Sequence, residues 1–403
     1  MSSEIRTLPG SSVTSPAGFL AGALHAGIKS DPERPDLTLL VSERPCAVAA
    51  TFTANKFAAA PVQLDRERIT SGRARAVLAN SGNANACTGQ PGLDNARLMA
   101  RWAAEKLGIG EEEVLVASTG IIGVQLPMDK IQAGLARLEV SADGGDVAAR
   151  GIMTTDRRPK QIAVELQVGG RAVRIGGMAK GAGMIHPNMA TMLCFITTDA
   201  EADPSFLRAA LKDSVAGSFN MISVDGDTST NDTCILLANG ASGVTLDGCG
   251  PESALFQQAL DVVAQHLARA IVADGEGAER TMRVEVRGAR SDRDARLAAR
   301  AVASSSLTKA ALHGGDPNWG RILCAVGYSA AELDPTRVEL RVGDVALVRD
   351  GTPLDFDQTA ASAAMRADEV EILVDLHEGS GKAVAWGCEL TEEYVVENSA
   401  YTT

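Results

Sequence analysis

The sequence predicts a layered α/β (α+β) protein in which β-sheets are covered by helices. Segments with helical periodicity alternate with short apolar strand segments along the whole chain, which is typical of such layers. Glycine supplies 40 of the 403 residues, enough for many tight turns. Hydrophobic residues make up 45% of the chain and aromatic residues only 3%, so we expect a large core of Ala, Val, Leu and Ile.

Four segments have apolar residues at helical spacing together with recognisable ends. Asp203 followed by Pro204 is an N-cap with proline in the first turn, whereas Gly108 and the Asp274-Gly275 pair are typical helix ends. The predicted helices are residues 94–107, 203–215, 252–272 and 301–312.

The predicted strands are short and apolar or alternating, and they lie between these helices. The two segments within 338–348 are close enough in sequence to form a hairpin. The predicted strands are residues 114–117, 191–197, 284–286, 338–342, 345–348 and 371–376. The segment 191–197 (TMLCFIT) has the composition of a buried strand.

Charge and composition exclude several classes of function. The net charge of −13 disfavours nucleic acid as a partner, and no apolar stretch approaches the 18 residues that a bilayer requires. The first twelve residues lack the apolar core of a signal peptide, so we expect the protein in the cytoplasm. Seven scattered cysteines without a CxxC pair and five histidines without HExxH or HxH spacing predict neither disulfides, nor a zinc site, nor a His-based triad.

The most unusual segment is GGMAKGAGMIHPNMATMLCFITT, residues 176–198, which we interpret as a flexible glycine-rich stretch leading into a buried strand. It is not a phosphate-binding loop, because Lys180 is followed by Gly181 and no helix comes next. The Ala190-Thr191 pair allows different chemistry. The Thr191 hydroxyl could attack the preceding carbonyl, and hydrolysis of the resulting ester would free an α-amino group with a pKa of about 7.7–8.0, which can serve as the base for its own hydroxyl. The alternative is an ordinary β-branched strand residue.

Eight motifs in order resemble the ornithine acetyltransferase family, also called bifunctional glutamate N-acetyltransferases, over essentially the whole chain. They are SGNANACTG (81–89), VASTGIIG (116–123), IMTTD (152–156), MAKGAGMIHPNMATML (178–193), SVDGDTSTNDT (223–233), DGEGA (274–278), GDPNWGRI (315–322) and ENSAYTT (397–403).

This resemblance implies self-cleavage between Ala190 and Thr191. The products would be an α chain of residues 1–190, carrying the oxyanion hole and Lys180, and a β chain of residues 191–403 that begins at the nucleophile. It also implies an αββα-type sandwich like that of N-terminal nucleophile enzymes, with the strand that starts at Thr191 in its centre. Two cleaved chains would assemble as an α2β2 heterotetramer.

The resemblance further assigns residues to the oxyanion hole and to substrate binding. Thr119 and Gly120 would form the oxyanion hole, although Ser118-Thr119-Gly120 alone could be a strand-ending turn. Lys180 would bind a substrate carboxylate, and its alternative is a solvated loop lysine. Thr154 and Thr155 both offer a hydroxyl to the substrate, and we favour Thr155.

The remaining implied ligands come from the last third of the chain. Glu276 would bind a substrate ammonium group rather than being a surface carboxylate, and Asn398 and Thr403 in the tail would reach the site instead of fraying. The sequence departs from the family pattern at Glu279-Arg280, where Thr-Lys is frequent. Because the acidic segment 223–233 does not match the calcium-loop spacing, we expect it to shape the site, and no metal is predicted.

The predicted activity is acetyl transfer by a ping-pong mechanism. Thr191 would take the acetyl group from N-acetylornithine and pass it to L-glutamate, with no cofactor and with acetyl-CoA as a possible second acetyl donor. An amide hydrolase or aminopeptidase of the same N-terminal nucleophile type is the alternative enzyme, since only the acceptor differs. A metabolite-binding protein without catalysis is the third hypothesis.

Overall fold

In the computed structural model, residues 5–186 and 192–400 are described, and they form two large mixed β-sheets with helices packed on them and one small two-stranded sheet. The strands are β1 (Ile5–Thr7), β2 (Phe19–Leu24), β3 (Leu37–Phe52), β4 (Arg73–Asn83), β5 (Val114–Ile121), β6 (Lys160–Val168), β7 (Arg171–Lys180), β8 (Leu193–Thr198), β9 (Glu201–Ala202), β10 (Ile222–Ser223), β11 (Thr233–Ala238), β12 (Thr245–Leu246), β13 (Thr281–Ala289), β14 (Glu339–Val342), β15 (Val345–Arg349), β16 (Thr352–Pro353), β17 (Glu369–Asp375) and β18 (Gly381–Cys388). The helices are α1 (Ala60–Arg68), α2 (Gly89–Leu107), α3 (Met128–Arg137), α4 (Gly145–Gly151), α5 (Pro204–Ala216), α6 (Gly250–Val272), α7 (Asp292–Ser304), α8 (Ser306–Gly314), α9 (Trp319–Gly327), α10 (Gln358–Ala364) and α11 (Glu392–Ala400).

The larger sheet has the order β1-β6-β7-β8-β11-β3-β4-β5, with β2 also paired to β3. Its long strand β3 pairs with β4 on one side and with β11 on the other, and the β3–β4 register shifts between Val41 and Cys46. This irregularity divides the sheet into two parts. We call β4, β5 and the first half of β3 the first strand layer, and β6, β7, β8, β11 and the second half of β3 the second strand layer.

The two strand layers face each other and carry helices on their outer sides. Side chains such as Val77, Leu115, Phe195 and Ile235 from both layers form one shared apolar cluster. The alternate residues of the first strand layer pack instead on α1, α2 and α3, and those of the second on α5 and α6. The order is helix, strand, strand, helix, so the predicted α/β sandwich is confirmed.

Strand β8 lies at the centre of the larger sheet, as predicted. It pairs antiparallel with β7, where Leu193 lies opposite Lys180, and parallel with β11, where Leu193 lies opposite Thr233. The end of β7 and the starts of β8 and β11 therefore share one edge of the second strand layer. Position 191 lies outside the described residues.

The glycines before Lys180 belong to a strand, so the prediction of a flexible stretch there was wrong. Residues 176–180 form the end of β7 and pair with both β6 and β8. Glycine is needed for packing: a Cβ atom at Gly177 would lie 3.0 Å from the side chains of Val263 and Leu267. A side chain at this position would crowd α6, so glycine favours the close approach of the helix to β7.

The smaller sheet has the order β10-β18-β13-β17-β14-β15-β16, and α7 packs across β13 and β18. The predicted hairpin 338–348 is confirmed by the antiparallel β14–β15 pair. The predicted helix 301–312 is corrected: α7 ends at Ser304 and α8 begins at Ser306. Ser305 separates them because its side chain accepts a hydrogen bond from the Thr308 N–H and caps the second helix.

The other three predicted helices are present, and their boundaries differ by at most two residues except at the start of α2. Asp203 caps α5 through the Ser205 N–H, and α6 covers the predicted range with two extra residues at its start. Helix α2 begins at Gly89 instead of Asp94, because Pro91 falls in its first turn, where proline is tolerated. No helix among the described residues is long and apolar enough to cross a membrane.

Packing of α6 against β7 can be tested with two substitutions on the same helix. Leu267 is fully buried, and we expect Leu267→Ala to lower the free energy of unfolding by about 2–5 kcal/mol. Val262 is 39% exposed, and Val262→Ala should change it by less than about 0.5 kcal/mol. Denaturant unfolding of both variants measures the difference. Equal destabilisation by the two would contradict the described packing.

Candidate active site

A pocket of about 120 Å³ opens at the edge where the two strand layers meet. Segments far apart in the sequence line it: the end of β5, the loop after α4, the end of β7, the turn before β11, the loop after α6 and helix α11. Six of the predicted site residues are among its lining residues: Thr119, Gly120, Thr155, Lys180, Glu276 and Asn398. Ala190, Thr191 and Thr403 lie outside the described residues, so their places in the site stay predictions.

Thr119 and Gly120 lie at the end of β5, next to the end of β4. Gly120 has a φ of +133°, and a Cβ atom there would lie 2.3 Å from the Gly82 carbonyl carbon. Only glycine fits this conformation and this contact. Thr119 is buried with its hydroxyl directed at Lys180, whose Nζ donates to Thr119 Oγ1 at 3.3 Å. The Thr119 hydroxyl and the Gly120 backbone thus line the pocket side by side.

Lys180 is the last residue of β7 and is 2% exposed, so the alternative of a solvated loop lysine was wrong. Its Nζ lies 4.0 Å from Asp156 Oδ2. Burial lowers the pKa of Lys180, and the carboxylates of Asp156 and Glu276 oppose this effect. The ammonium group therefore has a carboxylate nearby but no close contact with it, and it remains directed into the pocket.

A buried cluster of charges holds the walls of the pocket around Lys180. Asp156 accepts hydrogen bonds from Lys160 Nζ at 2.6 Å, from the Gly181 N–H at 2.7 Å and from the Thr154 N–H at 3.0 Å. Lys160 also donates to Asp274 at 2.6 Å. Burial alone would raise the pKa of Asp156, but Lys180 and Lys160 lower it below its ordinary value.

This cluster connects three parts of the pocket wall. Asp156 joins the Thr154-Thr155 loop to the end of β7, and Asp274, directly after α6, leads into Glu276. The Glu276 N–H donates to the Ala182 carbonyl at 3.0 Å. This bond joins the loop after α6 directly to the residues that follow β7. Both Thr154 and Thr155 line the pocket, so the structure does not choose between them.

Glu276 and Asn398 meet at another part of the pocket wall. Asn398 Nδ2 donates to Glu276 Oε2 at 2.8 Å, and the α11 helix that carries Asn398 is attached at its start by Thr391, whose hydroxyl donates to the Gly277 carbonyl at 2.9 Å. A Cβ atom at Gly183 would lie 2.2 Å from Glu276 Oε2, so glycine leaves room for this carboxylate. The C-terminal segment up to Asn398 is thus part of the pocket.

The unusual Glu279-Arg280 pair does not line the pocket. Both backbone N–H groups donate to Glu389 Oε1, at 2.9 and 2.8 Å, and the Arg280 side chain donates to the His313 carbonyl. The departure from the family pattern at these positions therefore does not alter the lining of the site.

Two further lining residues, Asp225 and Tyr394, were not singled out by their residue type. Asp225 accepts hydrogen bonds from the backbone N–H groups of Met184 and Ile185, which follow Lys180 in the chain, and of Asp227. Burial raises the pKa of Asp225 to about 6, and burial together with Asp225 and Glu276 raises the pKa of Tyr394. Asp225 belongs to the acidic segment 223–233, which we expect to shape the site, and its hydrogen bonds fix the backbone of residues 184–185.

Residues 229–231 line the pocket next to the oxyanion-hole candidates. Asn231 Nδ2 donates to the carbonyls of Ala84 and Ser118, and the neighbouring Asp232 accepts the N–H of Met192 at 3.2 Å. These contacts join the first strand layer to the start of β8. Among the described residues, no group of three or more His, Cys, Asp or Glu side chains could hold a metal ion.

Comparison with known proteins decides the family. A sequence model of the ArgJ family matches residues 20–403. The chain belongs to the ArgJ family. An arginine biosynthesis bifunctional protein ArgJ from Symbiobacterium thermophilum is 53% identical over 396 residues, covering 97% of this chain and 98% of its own length. The protein of the same name from Thermus thermophilus is 51% identical, with 96% and 99% covered.

A solved structure of a family member is also similar. The arginine biosynthesis bifunctional protein argJ from Bacillus halodurans is 40% identical, with a TM-score of 0.50, and the match covers 51% of this chain and 98% of that chain. The resemblance stated from the motifs is therefore confirmed. The alternatives of an amide hydrolase and of a binding protein without catalysis are not favoured, because the whole-length relatives are arginine biosynthesis proteins.

The raised pKa of Asp225 gives a test of this pocket by pH. A carboxyl whose pKa in the fold is about 6, above its unfolded value of about 3.9, opposes folding when it is ionised above pH 6, and this penalty disappears as the pH falls to about 4. Asp225→Asn removes the penalty. The stability of the wild type relative to Asp225→Asn should therefore fall by about 2–3 kcal/mol between pH 4 and pH 7.

The measurement is denaturant unfolding across this pH range. Asp227→Asn is the matched control, because it removes an exposed carboxylate from the same turn. A stability difference between the wild type and Asp225→Asn that does not change with pH would contradict the raised pKa of Asp225.

Proposed function

We propose that this protein transfers the acetyl group of N2-acetyl-L-ornithine to L-glutamate in arginine biosynthesis. The acetyl group would pass through an ester on Thr191, which self-cleavage after Ala190 frees as an N-terminal residue. One observation carries the proposal: a single pocket collects Thr119, Gly120 and Lys180 from the chain before this junction and Glu276 and Asn398 from the chain after it. Those are the groups that two amino-acid substrates and a developing oxyanion require.

Cleavage would give an α chain of residues 1–190 and a β chain of residues 191–403. The matched chain of the Bacillus halodurans protein supports this, since 98% of it aligns with only 51% of the present chain. The two products would stay together, because β7 and β3 of the first pair with β8 and β11 of the second inside one sheet. The new N-terminus would lie just before Met192, whose N–H and carbonyl are both hydrogen-bonded.

In the first half-reaction the Thr191 hydroxyl attacks the acetyl carbonyl of N-acetylornithine. The free α-amino group of the same residue takes the hydroxyl proton and returns it to the leaving nitrogen of ornithine. The Thr119 hydroxyl and the Gly120 N–H stabilise the tetrahedral oxyanion, and losing one such donor costs about 3–4 kcal/mol of activation free energy. In the second half-reaction the glutamate amine attacks the acetyl ester and Thr191 is regenerated.

The charges of the pocket match the two amino acids. Both substrates carry an α-carboxylate, and Lys180 is the buried cation available to bind it. Glu276, oriented by Asn398, is placed for an ammonium group such as that of the ornithine side chain, and Thr155 offers a hydroxyl. Thr403 would complete the site from the C-terminal tail. Neither half-reaction changes an oxidation state, so no redox cofactor is needed, and no metal takes part in the proposed steps.

We extend the proposal to acetyl-CoA as a second acetyl donor, to an α2β2 heterotetramer and to the cytoplasm. The donor is supported by the name of the whole-length relatives, which are described as bifunctional. The assembly and the location rest on the family resemblance. The native mass of the purified protein tests the assembly, and a mass of a single αβ unit would contradict it.

Substitution of the nucleophile tests the proposal most simply. Thr191→Ala should remain a single uncut chain without transferase activity, because both cleavage and transfer need the hydroxyl. Thr191→Ser keeps a hydroxyl and should still be cut and retain part of the activity. Intact-mass analysis and a denaturing gel measure cleavage, and ornithine release in the presence of glutamate measures transfer. Full activity of Thr191→Ala would refute the role of Thr191.

Separate donors distinguish transfer from hydrolysis. With N-acetylornithine we expect ornithine and N-acetylglutamate in equal amounts, and with acetyl-CoA we expect N-acetylglutamate and free CoA. Each reaction should depend on glutamate, because the acyl-enzyme passes its acetyl group to an amine rather than to water. Acetate released at the full turnover rate without glutamate would instead identify a hydrolase.

A further inference from the structure

We propose that Asn231 and Asp232 are a positioning pair that sets the distance between the oxyanion hole and the nucleophile. Asn231 holds the end of β5 in the first strand layer, and Asp232 holds the start of β8 in the second strand layer. The inference rests on the proposed function, since it concerns the same acetyl transfer. It adds two residues that act through the backbone segments they hold, of which Asn231 also lines the pocket.

Asn231 is 4% exposed and uses both amide protons. Its Nδ2 donates to the Ala84 carbonyl at 2.6 Å and to the Ser118 carbonyl at 2.8 Å. The Ser118 carbonyl belongs to the peptide group that joins Ser118 to Thr119, so this bond fixes the backbone that carries the Thr119 hydroxyl. The Thr230 hydroxyl donates to Asn231 Oδ1 at 2.6 Å, which fixes the orientation of the amide.

Asp232 is fully buried and holds the residue before β8, in the second strand layer. Its Oδ1 accepts the Met192 N–H at 3.2 Å, and its backbone carbonyl accepts the Thr53 N–H at 3.0 Å. The Met192 carbonyl in turn accepts the Thr233 N–H at 3.1 Å. The residue that directly follows position 191 is thus held on both sides by 232–233.

The pair provides a short path between two parts of the site that the sheet connects only indirectly. Along the sheet, β8 reaches β5 through β11, β3 and β4, and β3 crosses the irregularity between Val41 and Cys46. The side chains of Asn231 and Asp232, which are consecutive in the chain, connect the end of β5 to the start of β8 directly. A displacement of about 1 Å between a nucleophile and its partners can cost about 100-fold in rate, so such a bridge has a large effect on catalysis.

A buried asparagine that only stabilises the fold would make similar hydrogen bonds. A second buried asparagine next to the same strand, β11, serves as the control for such a structural role. Asn239 directly follows β11, at its far end, and is also buried. Its Nδ2 donates to the Ala17 carbonyl at 2.9 Å and to Ser42 Oγ at 3.2 Å, and it does not line the pocket. Asn231→Ala and Asn239→Ala each remove one buried asparagine that donates twice, so their costs in stability should be similar.

The experiment compares both variants with the wild type in the N-acetylornithine and glutamate assay, with rates normalised to the cleaved fraction. For Asn231→Ala we expect kcat to fall about 100-fold while KM for both substrates stays within about threefold, because the oxyanion hole moves but the substrate ligands do not. Asn239→Ala should keep kcat within about threefold. A folded Asn231→Ala chain that remains uncut also supports the proposal, since self-cleavage needs the same alignment.

Asp232 is tested by a pair of substitutions that does not depend on Asn231. Asp232→Asn keeps the oxygen that accepts the Met192 N–H, and because burial raises the pKa of Asp232 a neutral amide suits the site. We expect Asp232→Asn to keep kcat within about tenfold and Asp232→Ala to lose about 100-fold. If Asn231→Ala does not fold, the comparison of Asp232→Asn with Asp232→Ala is sufficient to test the proposal.

Three results would overturn the inference while leaving the proposed function intact. The first is a kcat for Asn231→Ala equal to that of Asn239→Ala, and the second is a kcat for Asp232→Ala equal to that of the wild type. The third is an Asp232→Asn variant as inactive as Asp232→Ala, which would assign the carboxylate to proton transfer instead of positioning. Failure of the proposed function would be seen separately, as a wild-type protein that transfers no acetyl group.

Discussion

The site depends on the path of one strand. β3 belongs to both strand layers, and its irregularity between Val41 and Cys46 lets a single sheet fold into two facing layers. Without this change of direction, the end of β5 and the start of β8 would lie in one extended sheet, several strands apart. Because the layers face each other instead, the Gly120 backbone and the Lys180 ammonium group line the same pocket.

The buried charges around Asp156 make this arrangement rigid at a cost in solvation. Asp156, Lys160 and Asp274 are all nearly inaccessible to water, and their hydrogen bonds are 2.6 Å long. Such ion pairs contribute little net stability, but breaking one costs about 3–5 kcal/mol, because a charge is left buried without its partner. The cluster therefore favours one arrangement of the loop 154–156, the end of β7 and the end of α6. Those are the segments that present Thr155, Lys180 and Glu276.

Periodic patterns and motif order were sufficient for the fold class, for the helices α5 and α6 and for the central place of β8. They were insufficient where a residue's role depends on a partner far away in the chain. The glycines before Lys180 have the composition of a loop, yet they are strand residues that pair with β6 and β8, and α6 packs where a side chain at Gly177 would be. Ser305 looks like any residue within an amphipathic helix, but its side chain starts a new helix.

Within the site, too, sequence patterns do not predict roles that depend on distant partners. Asn231 and Asp232 belong to a segment whose composition is typical of turns, and their partners Ala84, Ser118 and Met192 lie 40 to 147 positions away. Tyr394 and Asn398 belong to a tail with no sequence pattern that predicts a pocket wall. They line the pocket, and Asn398 donates a hydrogen bond to Glu276. The resemblance to a family could name Asn398, because it carries information about tertiary contacts that local patterns lack.

The central claim is that Thr191, freed by cleavage, carries the acetyl group between the two substrates. Intact-mass analysis after incubation with N-acetylornithine alone tests it directly. The account predicts two fragments, of which the one comprising residues 191–403 carries a single acetyl group on its first residue and loses it when glutamate is added. Active protein that remains one uncut chain, or that turns over without ever acetylating this fragment, would contradict it.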